Sequence, residues 1–175
     1  MDNESLELLQ QLTELDAVPG FETEVRDFIR GRLEGVGELK KDNLGSLICE
    51  KRGTADSPRI MLPTHMDEVG FIVKDIDETG CISFSPLGGW IDQVLLGHTV
   101  SVKTRNGPIP GVIGCKPPHM MPREERNKVI KRKKMFIDVG ADDREDAEEN
   151  LGVRVGNPIV PHQEFCRMAN EEYLM

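Results

Sequence analysis

A histidine and an aspartate two residues apart, in the stretch PTHMDEVGF (residues 63–71), are the residue types in this chain best suited to metal chemistry. His65 can bind a metal through one ring nitrogen, and Asp67 can accept a hydrogen bond from the other and fix the tautomer. The place suits a ligand. The apolar run RIMLP (residues 59–63) before it reads as a strand buried on both faces. Open α/β sheets bind their ligands beyond the carboxyl ends of such strands. One histidine is not a catalytic site, because a catalytic zinc takes three protein ligands and keeps one position open. From spacing alone, a lone histidine at a strand end is more often a structural or exposed residue than a ligand.

The elements that would position this pair can be read from the pattern on either side. In SLELLQQLTELD (residues 5–16) Leu6, Leu8, Leu9, Leu12 and Leu15 fall largely on one helical stripe. VPG breaks that helix. A second is expected over 22–35, with Val25, Phe28, Ile29 and Leu33 at helical spacing and Gly35 and Gly37 as a stop. KKDNLGSLICEKRG reads as two extended stretches around a turn at Asn43. The order up to His65 is therefore helix, helix and three strands.

Beyond Gly70 the texture changes to short apolar runs between turn residues: GFIVKDID, CISFSPL, VLLGHTVSVKT, IPGVIG, MFIDVGA and VRVGNPIVP. Regular short strands with Gly and Pro between them predict a small barrel or sandwich. Two charged segments interrupt it. MPREERNKVIKRKK is locally basic and reads as a solvated face, while DDREDAEENLG reads as a short, capped acidic helix.

Bulk properties narrow the function classes. A chain of 175 residues can bury a sizeable core without disulfide or metal staples. The net charge of −9 argues against nucleic acid as the main partner, since phosphate binding rests on surplus Lys and Arg. No run reaches the eighteen or so apolar residues of a membrane helix, and the acidic start MDNESLELLQQL lacks the apolar core of a signal peptide. Cys49, Cys81, Cys115 and Cys166 form no CxxC pair and read as free thiols in a reducing cytoplasm.

The segments HMDEVGFIVKDIDETGCISFSPLGGW, QVLLGHTVSVKTRNGPIPGVIGCKPPHMM and MFIDVGADDREDAEENLGVRVGNPIVP resemble the TET-type metallo-aminopeptidases, which include glutamyl and deblocking aminopeptidases and relatives labelled endoglucanases. The resemblance implies an α/β fold: a partial zinc-peptidase-like catalytic lobe with an inserted small β-barrel domain. The implied segments are residues 1–68 of the catalytic lobe, the barrel over 69–164, and the start of the return over 165–175. It also implies peptide substrates, homo-oligomers built through the barrel, and two divalent metals, zinc or cobalt. His65 would ligate one metal and Asp67 would orient it. His119, in KPPHMM, would approach the active site of a neighbouring subunit, against the plainer reading of a loop residue at the barrel edge.

Family members run to roughly twice this length, and most of their ligands follow the barrel in an Asp-Asp-Arg motif and beyond. The expectation is therefore the N-terminal half of such an enzyme, with at most one partial metal site, inactive alone. The rival reading is a non-catalytic assembly or regulatory module that oligomerises through its barrel. Asp142-Asp143-Arg144 reads as a helix cap, since acids suit a helix N-terminus. His98 reads as a half-buried strand residue and His162 as a surface residue. Glu68 can hydrogen-bond near the site, and the Glu171-Glu172 pair reads as solvated. Trp90, the single tryptophan, reads as a packing residue rather than a sugar platform.

Overall fold

The structure, a computed structural model, describes residues 2–170 and 172–175, apart from the side chain of Glu125. The chain divides into two compact units, one ending at Asp67 and the other beginning at Glu68.

The first unit holds α1 (Asn3–Glu14), α2 (Thr23–Leu33), β1 (Glu38–Lys41) and β2 (Leu47–Glu50). The Asp2 carboxylate starts α1 by accepting the Ser5 N–H at 2.7 Å and its hydroxyl at 3.1 Å. The helix therefore begins two residues earlier than its leucine stripe suggests. It ends where Leu15 turns extended. Leu6, Leu8, Leu9 and Leu12 are half-buried. α2 stops ahead of Gly35, whose φ of 78° suits a residue without a Cβ. β1 and β2 pair antiparallel with Leu39 opposite Cys49. Their turn is held by Asp42 Oδ1, which accepts the N–H groups of Leu44 and Ser46 at 2.9 and 2.8 Å.

The run RIMLP is not the buried strand that its composition predicts. No strand is assigned there, and Ile60, Met61 and Leu62 are 79, 81 and 89 % exposed. Apolar content makes a segment suitable for a sheet centre, but a strand exists only where a neighbour accepts its ladder of hydrogen bonds. Among the described residues of this unit only Ala17, Val18 and Val25 are fully buried hydrophobics.

The second unit is a closed antiparallel barrel. Its strands are β3 (Gly70–Ile76), β4 (Ile82–Leu87), β5 (Thr99–Thr104), β6 (Gly107–Cys115), β7 (Met135–Asp138) and β8 (Pro158–Pro161), in the order β3-β4-β7-β6-β5-β8 around the ring. Alternation points Phe71, Val73, Val100, Val102, Ile113, Ile137 and Ile159 inward, all fully buried. A bulge between Val73 and Asp75 bends β3. Phe71 stacks on Trp90 at 4.8 Å and meets Phe84 edge-on at 5.0 Å. β5 and β8 are shorter than their apolar runs, because Val94 lies in a helical turn and Val153–Asn157 form a loop. Beyond β8, residues 166–168 pair with 173–175 through a bridge between Arg167 and Leu174. Among the described residues no helix is long and apolar enough to cross a membrane.

Packing of this quality makes large-to-small changes costly. Phe71→Ala should destabilise the barrel by roughly 3–5 kcal/mol in chemical denaturation; a loss under about 1 kcal/mol would mean the ring is not the keystone of that core. Amide exchange should show the first unit opening before the second, because it buries fewer apolar side chains. Equal protection at Leu9, Ile29, Val102 and Ile137 would contradict this.

Candidate metal centre

His65 follows the exposed RIMLP run and is itself 84 % exposed at the side chain. Its ring is nevertheless oriented by the residue two positions on, Asp67. Nδ1 lies 2.9 Å from the main-chain carbonyl oxygen of Asp67 and 3.3 Å from Asp67 Oδ1. A carbonyl oxygen can only accept, so Nδ1 must carry the proton in this bond. In the neutral imidazole that leaves the lone pair on Nε2, the nitrogen pointing away from the contact. The arrangement is that of a histidine prepared to ligate through Nε2. The sequence pattern suggests the Asp67 carboxylate as the partner. The shorter contact is to its carbonyl, and nothing in a residue type marks a carbonyl in advance.

One nitrogen does not make a site. Among the described residues, no group of three or more His, Cys, Asp and Glu side chains is placed to hold a metal ion. The residues present therefore fit a single ligand of a metal centre and do not fit a complete one- or two-metal site.

The other chemically interesting side chains are dispersed. His119 stands exposed in the helical turn Pro118–Met120. His98 is half-buried just ahead of β5 and lies edge-on to Trp90 at 6.1 Å. His162 is exposed after β8, with its N–H donated to the Thr99 carbonyl. Trp90 donates its indole N–H to the Gly70 carbonyl at 3.1 Å and packs on Phe71, which accounts for it structurally. Glu68 is half-buried. Of the terminal pair, Glu172 is exposed and Glu171 lies outside the described residues.

Asp142 and Asp143 open a short helical stretch that continues as the wide turn Asp146–Asn150. Asp143 Oδ1 accepts the Asp146 N–H at 2.8 Å, and Asp146 Oδ2 accepts the Asp142 N–H at 3.0 Å. This reciprocal pair caps the helix start. Arg144 is occupied by Asp75, Glu78 and Glu148 at 3.8, 3.4 and 3.8 Å.

Comparison with known proteins adds a family to this geometry. A family model described as M42 glutamyl aminopeptidase matches residues 45–175, and one described as AMPT matches residues 3–28. The chain is 44 % identical to FrvX of Escherichia coli (strain K12), covering 93 % of this chain and 45 % of that protein. It is 36 % identical to the lysyl aminopeptidase of Pyrococcus furiosus and 35 % to the glutamyl aminopeptidase of Lactococcus lactis subsp. cremoris, covering 95 % of this chain and 48 % of each of those. Among solved structures it is similar to a TET aminopeptidase from a marine sediment archaeon of the Thaumarchaeota, with TM-score 0.91, 44 % identity, and 97 % and 48 % of the two chains covered. A TET1 peptidase of Pyrococcus horikoshii, described as assembling into a tetrahedron or a large octahedral shell, matches with TM-score 0.80 and 32 % identity over 92 % and 47 %. The chain spans about half the length of the curated relatives it matches.

With a single oriented imidazole, zinc titrated against a chromophoric chelator should reveal no site tighter than about 1 μM. His65→Ala should leave the isotherm nearly unchanged. A nanomolar site that vanishes in His65→Ala would show that further donors converge on this ring.

Proposed function

The chain belongs to the M42 glutamyl aminopeptidase family, and on that premise we propose that it contributes to a metal-dependent aminopeptidase that releases N-terminal residues from peptides. His65 is the ligand it offers, through Nε2, to a divalent metal of the zinc or cobalt kind. Asp67 is the positioning residue that keeps the proton on Nδ1. The observation supporting this reading is the 2.9 Å contact between Nδ1 and the Asp67 carbonyl, which favours the proton on Nδ1 and leaves Nε2 for a ligand.

His119, exposed on its turn, is proposed to reach toward the active site of a neighbouring copy. Assembly is supported by the likeness to a peptidase described as assembling into a tetrahedron or a large octahedral shell, and the barrel is proposed as the part that carries it. Four free thiols support a reducing cytoplasm. The net charge of −9 speaks against nucleic acid as the main partner. The residue preference is not carried over. Relatives at 36 and 35 % identity are named for lysyl and for glutamyl residues, which differ in charge sign.

Taken alone, the 175-residue chain is proposed to be inactive, because one imidazole cannot assemble the donor set that a catalytic metal needs. A second reading has its own support. The barrel is closed while the donor set is not, which suits a non-catalytic assembly or regulatory module. Co-elution with a full-length relative would favour the module.

Hydrolysis of a panel of aminoacyl-anilides by the purified chain, with added zinc or cobalt, tests the catalytic reading. The expected result is no turnover above a His65→Ala control. Turnover abolished by His65→Ala would refute inactivity and place a complete site within the chain or across a contact between copies.

A further inference from the structure

The connection from β6 to β7 runs from Lys116 to Lys134 and holds eight Lys and Arg against two Glu, in a chain with 22 Lys and Arg against 31 Asp and Glu. A solvated run of like charges repels itself and needs no fixed backbone. This one is seated. Met120 and Met121 donate their N–H groups to the Pro117 and Pro118 carbonyls at 2.9 and 3.2 Å. Arg126 Nε donates to the Met121 carbonyl at 3.2 Å. Ile130 packs against the barrel core, and Asp92 takes both the Arg132 N–H and its guanidinium, each at 3.3 Å.

The seating divides the cations into two sets. Arg126 and Arg132 are held by the connection's own structure. Arg123, Lys128, Lys131 and Lys133 are exposed and, among the described residues, form no ion pair with a carboxylate. From Val129 to Lys133 exposure alternates, with Ile130 and Arg132 half-buried and Val129, Lys131 and Lys133 exposed. That alternation belongs to extended chain, and Lys131 is extended at φ −72° and ψ 141°. Ile91 and Val94, on either side of Asp92 in the chain, are exposed as well. Positioned cations among exposed apolar side chains have the composition of a binding surface rather than of a solvated run.

The ligand that fits is anionic and short. Residues 116–134 contain no Phe, Tyr or Trp on which bases could stack, and the rest of the chain is acidic, so a long polyanion is poorly served. The helical turns here are three residues each, too short to lay an amphipathic helix on a lipid surface. Carboxylates spaced along an extended peptide, with apolar residues between them, complement the cations and apolar side chains of 123–133. We propose that this connection is a docking surface for acidic peptides. His119 lies on the same connection, and the place of this surface in catalysis rests on the reading that His119 reaches toward a neighbouring copy's active site. On that reading the cations that follow His119 meet the peptide away from its reacting end. The favoured substrates then carry Glu or Asp after the residue released, whatever that residue is.

Fluorescence anisotropy with the full 175-residue chain tests it, using a labelled peptide of Glu, Leu and Ser beside one in which every Glu is replaced by Gln. The acidic peptide should bind at about 50 mM salt and weaken at about 500 mM, and the glutamine peptide should bind far more weakly at both. Lys131→Glu combined with Lys133→Glu should weaken the acidic peptide by about tenfold or more at unchanged melting temperature. Lys131→Arg combined with Lys133→Arg should keep the binding. Equal affinity for the two peptides, or an acidic peptide held as tightly by the charge-reversed variant, would overturn the docking surface. A single-stranded oligonucleotide that binds more tightly than the acidic peptide, and is lost in the same variant, would reassign the cations to nucleic acid and overturn it too. None of these readouts needs turnover. A chain that binds neither peptide would therefore sink the docking surface alone and leave the aminopeptidase reading to the anilide panel.

Discussion

Extended backbone presents one donor and one acceptor per residue, and the need to pair them governs both units of this protein. In the second unit six short strands satisfy the need by closing into a ring, so no strand is left with a bare edge. Closure also fixes the register, and the register decides which side chains face inward. The aromatic group of Phe71, Phe84 and Trp90 and the aliphatic residues of β5, β6 and β7 then form one core. In the first unit the pairing available is a two-stranded hairpin of β1 and β2. The apolar run before His65 has the composition of a sheet centre and no ladder within its unit. It stays exposed, and so does the histidine after it.

Aspartate carries much of the local architecture. Asp2, Asp42, Asp77 and Asp146 each accept hydrogen bonds from nearby residues. In each case bonds to Ser5, Ser46, Thr79 or Asn150 respectively are the largest cause holding the carboxyl below its ordinary range. Because these groups are lowered on folding, their contribution is present above the ordinary carboxylate range and fades as pH falls through the lowered values. Part of the chain's acidity is thus spent on backbone N–H groups. The same logic explains Asp142-Asp143-Arg144. In isolation the triplet looks like ligand chemistry, yet the Asp142 N–H and the Asp143 carboxylate bond to Asp146, and Arg144 lies against Asp75, Glu78 and Glu148.

What could be read from residue order follows from how local the cause is. The helices, the Asn43 turn and the strand runs of the barrel are set by spacing and turn chemistry, and they appear near their expected places. α1 begins early because its cap is Asp2, a residue outside the leucine stripe. RIMLP failed as a strand because pairing is a property of neighbours, which an apolar run cannot encode. The shortened β5 and β8 show the same limit. Their apolar residues Leu95 and Val153 reach the core from a turn and a loop rather than from a ladder. At the candidate site, residue types identified His65 and Asp67, but the tighter of their contacts uses a main-chain oxygen. Barrel closure was legible only as a texture of short strands, since ring order depends on long-range pairing.

The bond between His65 and Asp67 is the part of the candidate centre least dependent on its surroundings. It spans two residues and needs no sheet, so the contact forms even where the preceding run is solvent-exposed. Orientation and completeness are therefore separable here. The first is built into a tripeptide, while the second requires donors from elements that must be brought together in space. A histidine already protonated on Nδ1 loses less on ligation than one free to exchange tautomers, because that choice has been made before the metal arrives. In the proposed role, local preorganisation of this kind would ready one residue for a metal, while the other donors would have to come from long-range structure.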